Sequence, residues 1–208
     1  MTDVTGLNQI LTRIAGLSHH RNLIAVIGPP ASGKSTLAEK LAEALNLKQA
    51  GSASVLGQDG FHFDNAILKN LGALSRKGAP HTFDVGGLAA MLDRLLISPP
   101  EDIHAPQFDR DLDLSRNAAV LIPASAKYVI VEGNYLLLND PPWDRLFPKF
   151  SLTVSINVGD DELRRRLTER WSGLPSDDAT QKIDQNDLPN AAYVRARSRP
   201  TDLVIAQG

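Results

Sequence analysis

The stretch LIAVIGPPASGKST, Leu23–Thr36, decides the fold of this 208-residue chain. It begins with an uninterrupted apolar run, which is typical of a strand covered on both faces of a parallel sheet. The loop that follows contains Gly28-x-x-x-x-Gly33-Lys34-Ser35, the pattern of a phosphate-binding loop, and it lies between a buried strand and a predicted helix as that mechanism requires. The stretch therefore predicts an α/β fold that binds the phosphates of a nucleotide.

The residue types in the loop indicate how the phosphates are held. Pro29 and Pro30 have no N–H group, so the anion must be bound by the following amides, which converge at the positive end of a helix. Lys34 is expected to reach the β- and γ-phosphates, and the Ser35 hydroxyl to bind Mg²⁺. A glycine-rich turn with a solvated lysine is the alternative. The predicted nucleotide-binding residues are Gly28, Ala31, Ser32, Gly33, Lys34, Ser35 and Thr36.

Composition excludes several classes of protein. The 22 basic and 24 acidic residues nearly balance, which argues against a nucleic-acid partner. The chain contains no cysteine, so disulfides, thiolate metal sites and thiol nucleophiles are excluded. Its apolar runs are far shorter than the roughly 20 residues that span a bilayer. The amphipathic N-terminal pattern also differs from a signal peptide. We expect one cytoplasmic domain, residues 1–208, without membrane partners.

Short apolar runs alternate with helical patterns along the chain, as in a parallel α/β sheet. One helix follows the loop and carries the stripe Leu37, Leu41 and Leu45; two more are predicted at Gly87–Ile97 and Asp161–Trp171. The predicted strands are Leu23–Ile27, Ala53–Gln58, Tyr128–Val131, Leu152–Val158 and Leu203–Ala206. The segments predicted to be irregular are Ser75–Gly87, Ser98–Asn117 and Trp171–Asn190.

Two carboxylates follow predicted strands, at the edge where open α/β sheets present groups to ligands. Asp59 could accept the proton of an acceptor hydroxyl in phosphoryl transfer or hold magnesium through water, although it could also cap a helix. Glu132 comes directly after a buried strand, where a carboxylate is costly without a cation or a donor. Glu132 is therefore expected to belong to the magnesium shell.

The segment DDELRRRLTERW places Arg166 and Arg170 one helical turn apart. Such a charge run is usually a solvated helix face. Here a polar segment rich in glycine and proline follows at once, which favours a lid that delivers both arginines to the transferring phosphoryl group. The lid is expected at about 161–190.

These motifs together resemble the superfamily of uridine kinases, phosphoribulokinases and bacterial pantothenate kinases. The resemblance covers nearly the whole chain. Within the superfamily, the chain is most similar to a bacterial branch of nucleoside kinases and fructose transport system kinases. It includes GPPASGKST, DGFHFDN, KGAPHTFD, PQFDR, VEGNYLLL and RRRLTERW. It implies a P-loop NTPase three-layer α/β sandwich with a five-stranded parallel sheet of order 2-3-1-4-5 and a helical lid.

The resemblance also implies roles for single residues. Asp59 matches the catalytic base, Lys34 and Ser35 the phosphate and magnesium groups, Glu132 the strand-end carboxylate, and Arg166 and Arg170 the lid arginines. Residues that match the lining of the acceptor pocket are His62, Arg76, Phe83, Asp84, Phe108, Arg110 and Tyr135.

One motif departs from the uridine kinase pattern. Uridine kinases follow a P-x-Y-D stretch with a histidine and an arginine that read the pyrimidine. In PQFDRDLDLSR, Phe108 takes the place of the tyrosine and no histidine precedes Arg116. The resemblance therefore does not extend to pyrimidine recognition.

The expected function is an ATP- and Mg²⁺-dependent kinase that phosphorylates a hydroxyl group of a small molecule. A sugar, a nucleoside or a pantothenate-like diol would suit the predicted pocket equally well. The alternative is a nucleotide-gated switch or assembly factor with slow hydrolysis. Asp59 favours the kinase, because a switch needs a positioned water rather than a base that faces an acceptor pocket.

Overall fold

The computed structural model describes residues 4–97 and 100–207. Strands and helices alternate along the chain. The strands are β1 Asn22–Ile27, β2 Ala53–Gly57, β3 Ile103–Asp109, β4 Leu114–Ile122, β5 Tyr128–Gly133, β6 Leu152–Val158 and β7 Leu203–Gln207. The helices are α1 Val4–Ala15, α2 Lys34–Lys48, α3 Asn65–Asn70, α4 Val85–Leu96, α5 Asp160–Arg170, α6 Ser176–Lys182 and α7 Leu188–Arg197.

The main sheet confirms the predicted topology. Its order is β2-β5-β1-β6-β7, and every neighbouring pair is parallel. When only these five strands are counted along the chain, the order is 2-3-1-4-5. The carboxyl ends of β1, β2 and β5 therefore meet at one edge of the sheet.

The central strand β1 is buried on both faces, which explains its uniformly apolar sequence. Leu23 and Ala25 pack into the hydrophobic cluster that includes α4, whereas Ile24 and Val26 pack into the cluster that includes α1 and α2. This division produces the three-layer arrangement, with helices covering both faces of the sheet.

The prediction that Ser98–Asn117 is irregular was wrong in part. Residues 103–109 and 114–122 form an antiparallel two-stranded hairpin, β3–β4, with a register shift between Ala105 and Gln107. Pro106 at this shift interrupts the alternation that normally signals a strand. Ile103, Ala105 and Ile122 are fully buried, so tertiary packing stabilises the hairpin. Ser98 and Pro99 lie outside the described residues.

The other two predicted irregular segments also contain regular structure. Residues 75–87 overlap a 3₁₀ turn at Leu74–Arg76, contain a second at Pro80–Thr82, and include the start of α4 at Val85. Residues 171–190 contain α6, a π-helical turn at Ile183–Asp187 and the start of α7. The buried side chains of Ile183 and Asp187 anchor this helical segment.

Within the described ranges, no helix combines the length and the apolar character needed to cross a membrane.

Candidate active site

The phosphate-binding loop forms a concave turn between β1 and α2. Ala31 and Gly33 both have left-handed backbone conformations, with φ of 60° and 90°. A Cβ atom on Gly28 would lie 2.4 Å from Ser32 Oγ, so only glycine allows this close approach. Such left-handed residues in a tight turn are typical of a concave anion-binding backbone, and α2 begins directly behind the turn at Lys34. The backbone is therefore shaped to hold an anion.

Glu132 lies beside this loop because β5 pairs with β1. Its side chain is buried, and its Oε2 atom has no hydrogen-bond partner among the described residues. Burial raises the pKa of Glu132, while the positive charge of Lys34 and a hydrogen bond with Ser35 act in the opposite direction. A buried carboxylate oxygen without a partner, next to a hydroxyl, fits a hard cation such as Mg²⁺.

Ser35 and Glu132 could supply only part of the ligand shell of a magnesium ion. Across residues 4–97 and 100–207, no group of three or more His, Cys, Asp or Glu side chains could hold a metal ion. Mg²⁺ commonly uses one or two protein ligands together with water and substrate phosphates. Ser35 and Glu132 therefore fit a metal ion that arrives with the nucleotide.

Asp59 lies in a 3₁₀ turn, Gln58–Phe61, directly after β2. Its Oδ2 atom accepts a hydrogen bond of 3.3 Å from Arg110 Nη2, which lies just beyond the end of β3. The hairpin approaches this turn so closely that a Cβ atom on Gly60 would lie 2.5 Å from the Pro106 carbonyl oxygen. The hairpin thus contacts the turn that positions Asp59.

An aromatic wall stands next to Asp59. The His62 ring lies between two phenylalanines, with centroid distances of 4.0 Å to Phe83 and 4.8 Å to Phe108. His62 Nδ1 lies 2.8 Å from the Asp59 carbonyl oxygen, and since a carbonyl can only accept, Nδ1 donates. Burial lowers the pKa of His62, so the ring is held in its neutral form.

One cleft of about 620 Å³ joins these parts. Its lining includes Lys34 from the phosphate loop and Arg170 from the end of α5. The other predicted site residues that line it are Asp59, His62, Phe83, Phe108 and Arg110. The structure therefore places a phosphate-binding loop, a carboxylate and an aromatic wall around a single space.

The two arginines of α5 occupy different positions. Arg166 donates to Glu162 Oε1 at 2.6 Å and to the Ser32 carbonyl at 3.3 Å, so it contacts the phosphate loop. Arg170 lies over the Trp171 ring at 5.3 Å, and burial lowers the pKa of its guanidinium. Trp171 in turn donates from Nε1 to Asp187 Oδ2 at 2.8 Å. This contact joins α5 to the following helical segment.

Three residues predicted to line the acceptor pocket lie outside this cleft lining. Tyr135 is fully buried, and its hydroxyl donates to the Gly78 carbonyl at 2.6 Å. Asp84 caps α4 by accepting from the Gly87 amide at 2.8 Å. Arg76 donates to the Gln185 carbonyl and faces a neighbouring cavity. Each of these three side chains therefore makes contacts within the protein instead of lining the cleft.

Several residues that line the cleft were not predicted from the sequence. Lys77 is the first residue of the quoted KGAPHTFD motif and directly follows Arg76, which was predicted to line the pocket. The motif therefore contained the information needed to identify Lys77. Asn134 lies within the quoted VEGNYLLL motif. Asp113 lies in the hairpin turn and gave no local signal. Further lining residues of this kind are Asn65, Trp171, Asn186, Asp187 and Asn190.

The chain has kinase relatives along nearly its full length. It is 30% identical over 217 residues to a Schizosaccharomyces pombe protein named "Putative uridine kinase", and the match covers 99% of this chain and 92% of the relative. It is 31% identical to a pantothenate kinase of Streptococcus pneumoniae, but this match spans only 56% of that enzyme. No protein-family model matches the chain.

Solved structures show the same relationship. A structure described as a "putative fructose transport system kinase" from Silicibacter sp. TM1040 superposes with a TM-score of 0.87, at 37% identity and 98% coverage of both chains. D-glycerate 3-kinase of Cryptococcus neoformans shares the fold, with a TM-score of 0.64 at 14% identity. The chain is thus a small-molecule kinase and belongs to the P-loop kinase superfamily that includes the uridine kinases and the bacterial pantothenate kinases.

Proposed function

We propose that this kinase moves the γ-phosphoryl group of ATP to a hydroxyl of a small molecule, with Asp59 as the base. One observation supports this more than any other. Lys34 of the phosphate loop and Asp59 line the same cleft, and the aromatic wall begins beside Asp59. A phosphoryl donor and a hydroxyl acceptor bound in this cleft could therefore meet between the two side chains.

The proposed nucleotide site uses the backbone amides of the phosphate loop and the Lys34 ammonium. ATP phosphates would lie against the amides of residues 31–36, at the positive end of α2. Ser35 and Glu132 would hold Mg²⁺, which neutralises charge on the β- and γ-phosphates when it is bound. Lys34 would stabilise the charge on the same oxygens through charge-assisted hydrogen bonds.

Asp59 would activate the acceptor. Its carboxylate accepts the hydroxyl proton as the acceptor oxygen bonds to the γ-phosphorus, and the bond between that phosphorus and the β–γ bridging oxygen breaks. ADP then leaves with its electron pair. Arg110 Nη2 donates a 3.3 Å hydrogen bond to the Asp59 carboxylate. This contact fixes the orientation of the carboxylate that would accept the proton.

Arg166 and Arg170 would act on the transferring phosphoryl group. Arg166 already contacts the loop through the Ser32 carbonyl, and Arg170 lies in the wall of the cleft. We propose that residues 161–190 form the lid, because α5 carries both arginines and the following helices pack against it. A closing lid excludes water and protects ATP from hydrolysis.

A screen of coupled ADP release tests the function. Candidate acceptors are hexoses, pentoses, nucleosides and pantothenate-type diols, each added to the protein with ATP and Mg²⁺. We expect at least one hydroxyl compound to accelerate ADP release above the background hydrolysis. A protein partner that accelerates hydrolysis when no hydroxyl compound does so would instead support a nucleotide-gated switch.

A further inference from the structure

Lys77 lies in the cleft wall next to the aromatic ring of Phe108. The positive charge of Lys77 is already compensated by protein groups. Its Nζ donates to Asn65 Oδ1 and to the Asp113 carbonyl, both at 2.7 Å, and it pairs with Asp113 Oδ1 at 2.9 Å. It also lies 5.0 Å from the centre of the Phe108 ring. Only 13% of the Lys77 side chain is exposed. With three oxygen partners, the ammonium has used its three N–H donors.

The neighbouring amide groups each use one of their two N–H donors in a contact within the protein. Asn65 Nδ2 donates to Asp113 Oδ2 at 2.8 Å, and Asn186 Nδ2 donates to the Lys77 carbonyl at 3.2 Å. Arg110 is paired with Asp59 itself. A carboxylate or phosphate on the acceptor can only accept hydrogen bonds. Beside the aromatic wall it would therefore meet two cations whose charge is already paired with a carboxylate, Lys77 with Asp113 and Arg110 with Asp59.

Acceptor atoms, in contrast, are available. Asn134 Oδ1 is buried in the cleft wall and has no hydrogen-bond partner among the described residues. Because His62 donates from Nδ1 and its ring is neutral, its Nε2 keeps a lone pair. The Asp59 carboxylate adds further lone pairs. Groups that carry O–H donors, such as the hydroxyls of a polyol, match this set.

We propose that the phosphoryl acceptor is an uncharged polyhydroxy compound, and that Asp113 determines this specificity by neutralising Lys77. This inference rests on the proposed kinase function. The rings of Phe83 and Phe108 would contact the apolar face of the acceptor, while Asn134, His62 and Asp59 accept hydrogen bonds from its hydroxyls. On the aromatic side of the cleft, where Lys77 is paired with Asp113 and Arg110 with Asp59, an anionic acceptor would lose its hydration without gaining an uncompensated cation, which is unfavourable.

Matched pairs of compounds test the inference. Ribitol and ribonate, glucitol and gluconate, and panthenol and pantothenate each differ only by a CH₂OH group in place of a carboxylate. Free sugars and nucleosides are tested alongside, to separate these two sources of a neutral polyol. We expect the neutral member of the most active pair to exceed its acid by about tenfold or more in kcat/KM, equivalent to about 1.4 kcal/mol. A preferred carboxylate or phosphate compound would overturn the inference.

Asp113→Asn tests the proposed specificity residue. Asp113 has a left-handed backbone with φ of 52°, which asparagine tolerates, so the turn should keep its shape. The variant frees the charge of Lys77, and we expect the preference for the neutral member to fall by about tenfold. Asp111→Asn, at an exposed position two residues away in the same turn, is the matched control and should keep the preference. An unchanged preference in Asp113→Asn would contradict the role of Asp113.

Lys77→Gln provides a second variant in case Asp113→Asn does not fold. If Lys77 is not used to bind the acceptor, the neutral preference persists in this variant; loss of activity confined to an anionic acceptor would overturn the inference. Different results would contradict the proposed function and the proposed specificity. Active anionic acceptors would leave the kinase reaction standing, whereas ADP release that responds to neither set of compounds would overturn the reaction itself and the inference with it.

Discussion

Arg110 Nη2 lies 3.3 Å from Asp59 Oδ2, although the two residues are 51 positions apart in the sequence. Asp59 follows a strand of the main sheet, and Arg110 follows the first strand of the hairpin. The hairpin is therefore part of the proposed active site, because it supplies the cation that holds the proposed base.

Lys34→Ala is expected to weaken nucleotide binding. The variant loses a charge-assisted contact to the β- and γ-phosphates, and at roughly 1.5–3 kcal/mol this means about a tenfold or greater loss of affinity. Calorimetric titration with a non-hydrolysable ATP analogue measures the effect. Lys48→Ala, at the exposed end of α2, is the control. Equal affinities of both variants and the parent protein would reject Lys34 as a phosphate ligand.

Asp59→Asn is expected to reduce acceptor-dependent turnover by about 10²–10⁴-fold, the usual contribution of a general base. Asparagine keeps the shape of the side chain but cannot accept the hydroxyl proton. Background ATP hydrolysis, which uses water, should fall less, and nucleotide affinity should be retained. ADP release with and without the acceptor measures the difference, and thermal melting excludes misfolding.

Full turnover in Asp59→Asn would show that another group takes the proton. Asp64 and Asp84 are the next carboxylates in the sequence, but both are occupied as helix caps: Asp64 accepts from the Ala66 amide and Asp84 from the Gly87 amide. Neither of them lines the cleft, so each is placed less well than Asp59 to meet an acceptor bound there.

Arg166→Ala and Arg170→Ala should each lower kcat by orders of magnitude while ground-state ATP binding is largely retained, because the charge that they stabilise develops in the transition state. Lysine should rescue poorly, since it lacks the planar guanidinium. Arg165→Ala is a matched control on the same helix, where Arg165 is exposed and pairs with Glu162 and Glu169. Small and equal effects at all three positions would indicate a solvated helix face.

Glu132→Gln should stabilise the protein when nucleotide and magnesium are absent. Burial raises the pKa of Glu132, so the folded chain binds this proton more tightly than the unfolded chain does. The free energy of unfolding therefore falls as pH rises from the ordinary pKa of a glutamate through the raised one. Glutamine removes this cost. We expect a higher Tm at pH 7, with about 2–4 °C for each kcal/mol regained in a chain of this size.

The stabilisation by Glu132→Gln should shrink as pH is lowered, because the parent Glu132 then takes up a proton. Melting curves at pH 7 and pH 5 test this sign, with the exposed Glu43→Gln as control. Addition of Mg²⁺ and an ATP analogue should stabilise the parent protein more than the variant, since a ligand stabilises the form that binds it better. A variant that melts below the parent at pH 7 would contradict the role assigned to burial.

The main sheet was predictable because its information is local. Five uniformly apolar runs and the loop Gly28–Ser35 identify a parallel sheet with a phosphate site, and strand ends along one edge of such a sheet bring Asp59 and Glu132 near each other. The hairpin was missed because Pro106 and a register shift break its alternation. It is stabilised by the burial of Ile103, Ala105 and Ile122 against distant elements.

The sequence by itself determined the fold, the nucleotide loop and the carboxylates that follow β2 and β5, since these depend on strand order and on backbone conformation within a few residues. Tertiary structure alone decided which side chains face the cleft. Tyr135 and Phe108 are both aromatic, and both fall in motifs that resemble those of the kinase superfamily. Tyr135 is nevertheless buried in the core, whereas Phe108 lines the cleft. The contact of Lys77 with Asp113 joins residues 36 positions apart, and no local pattern encodes such a pair. Charge compensation inside the cleft depends on distances of a few ångströms between separate elements, so it follows only from the folded chain.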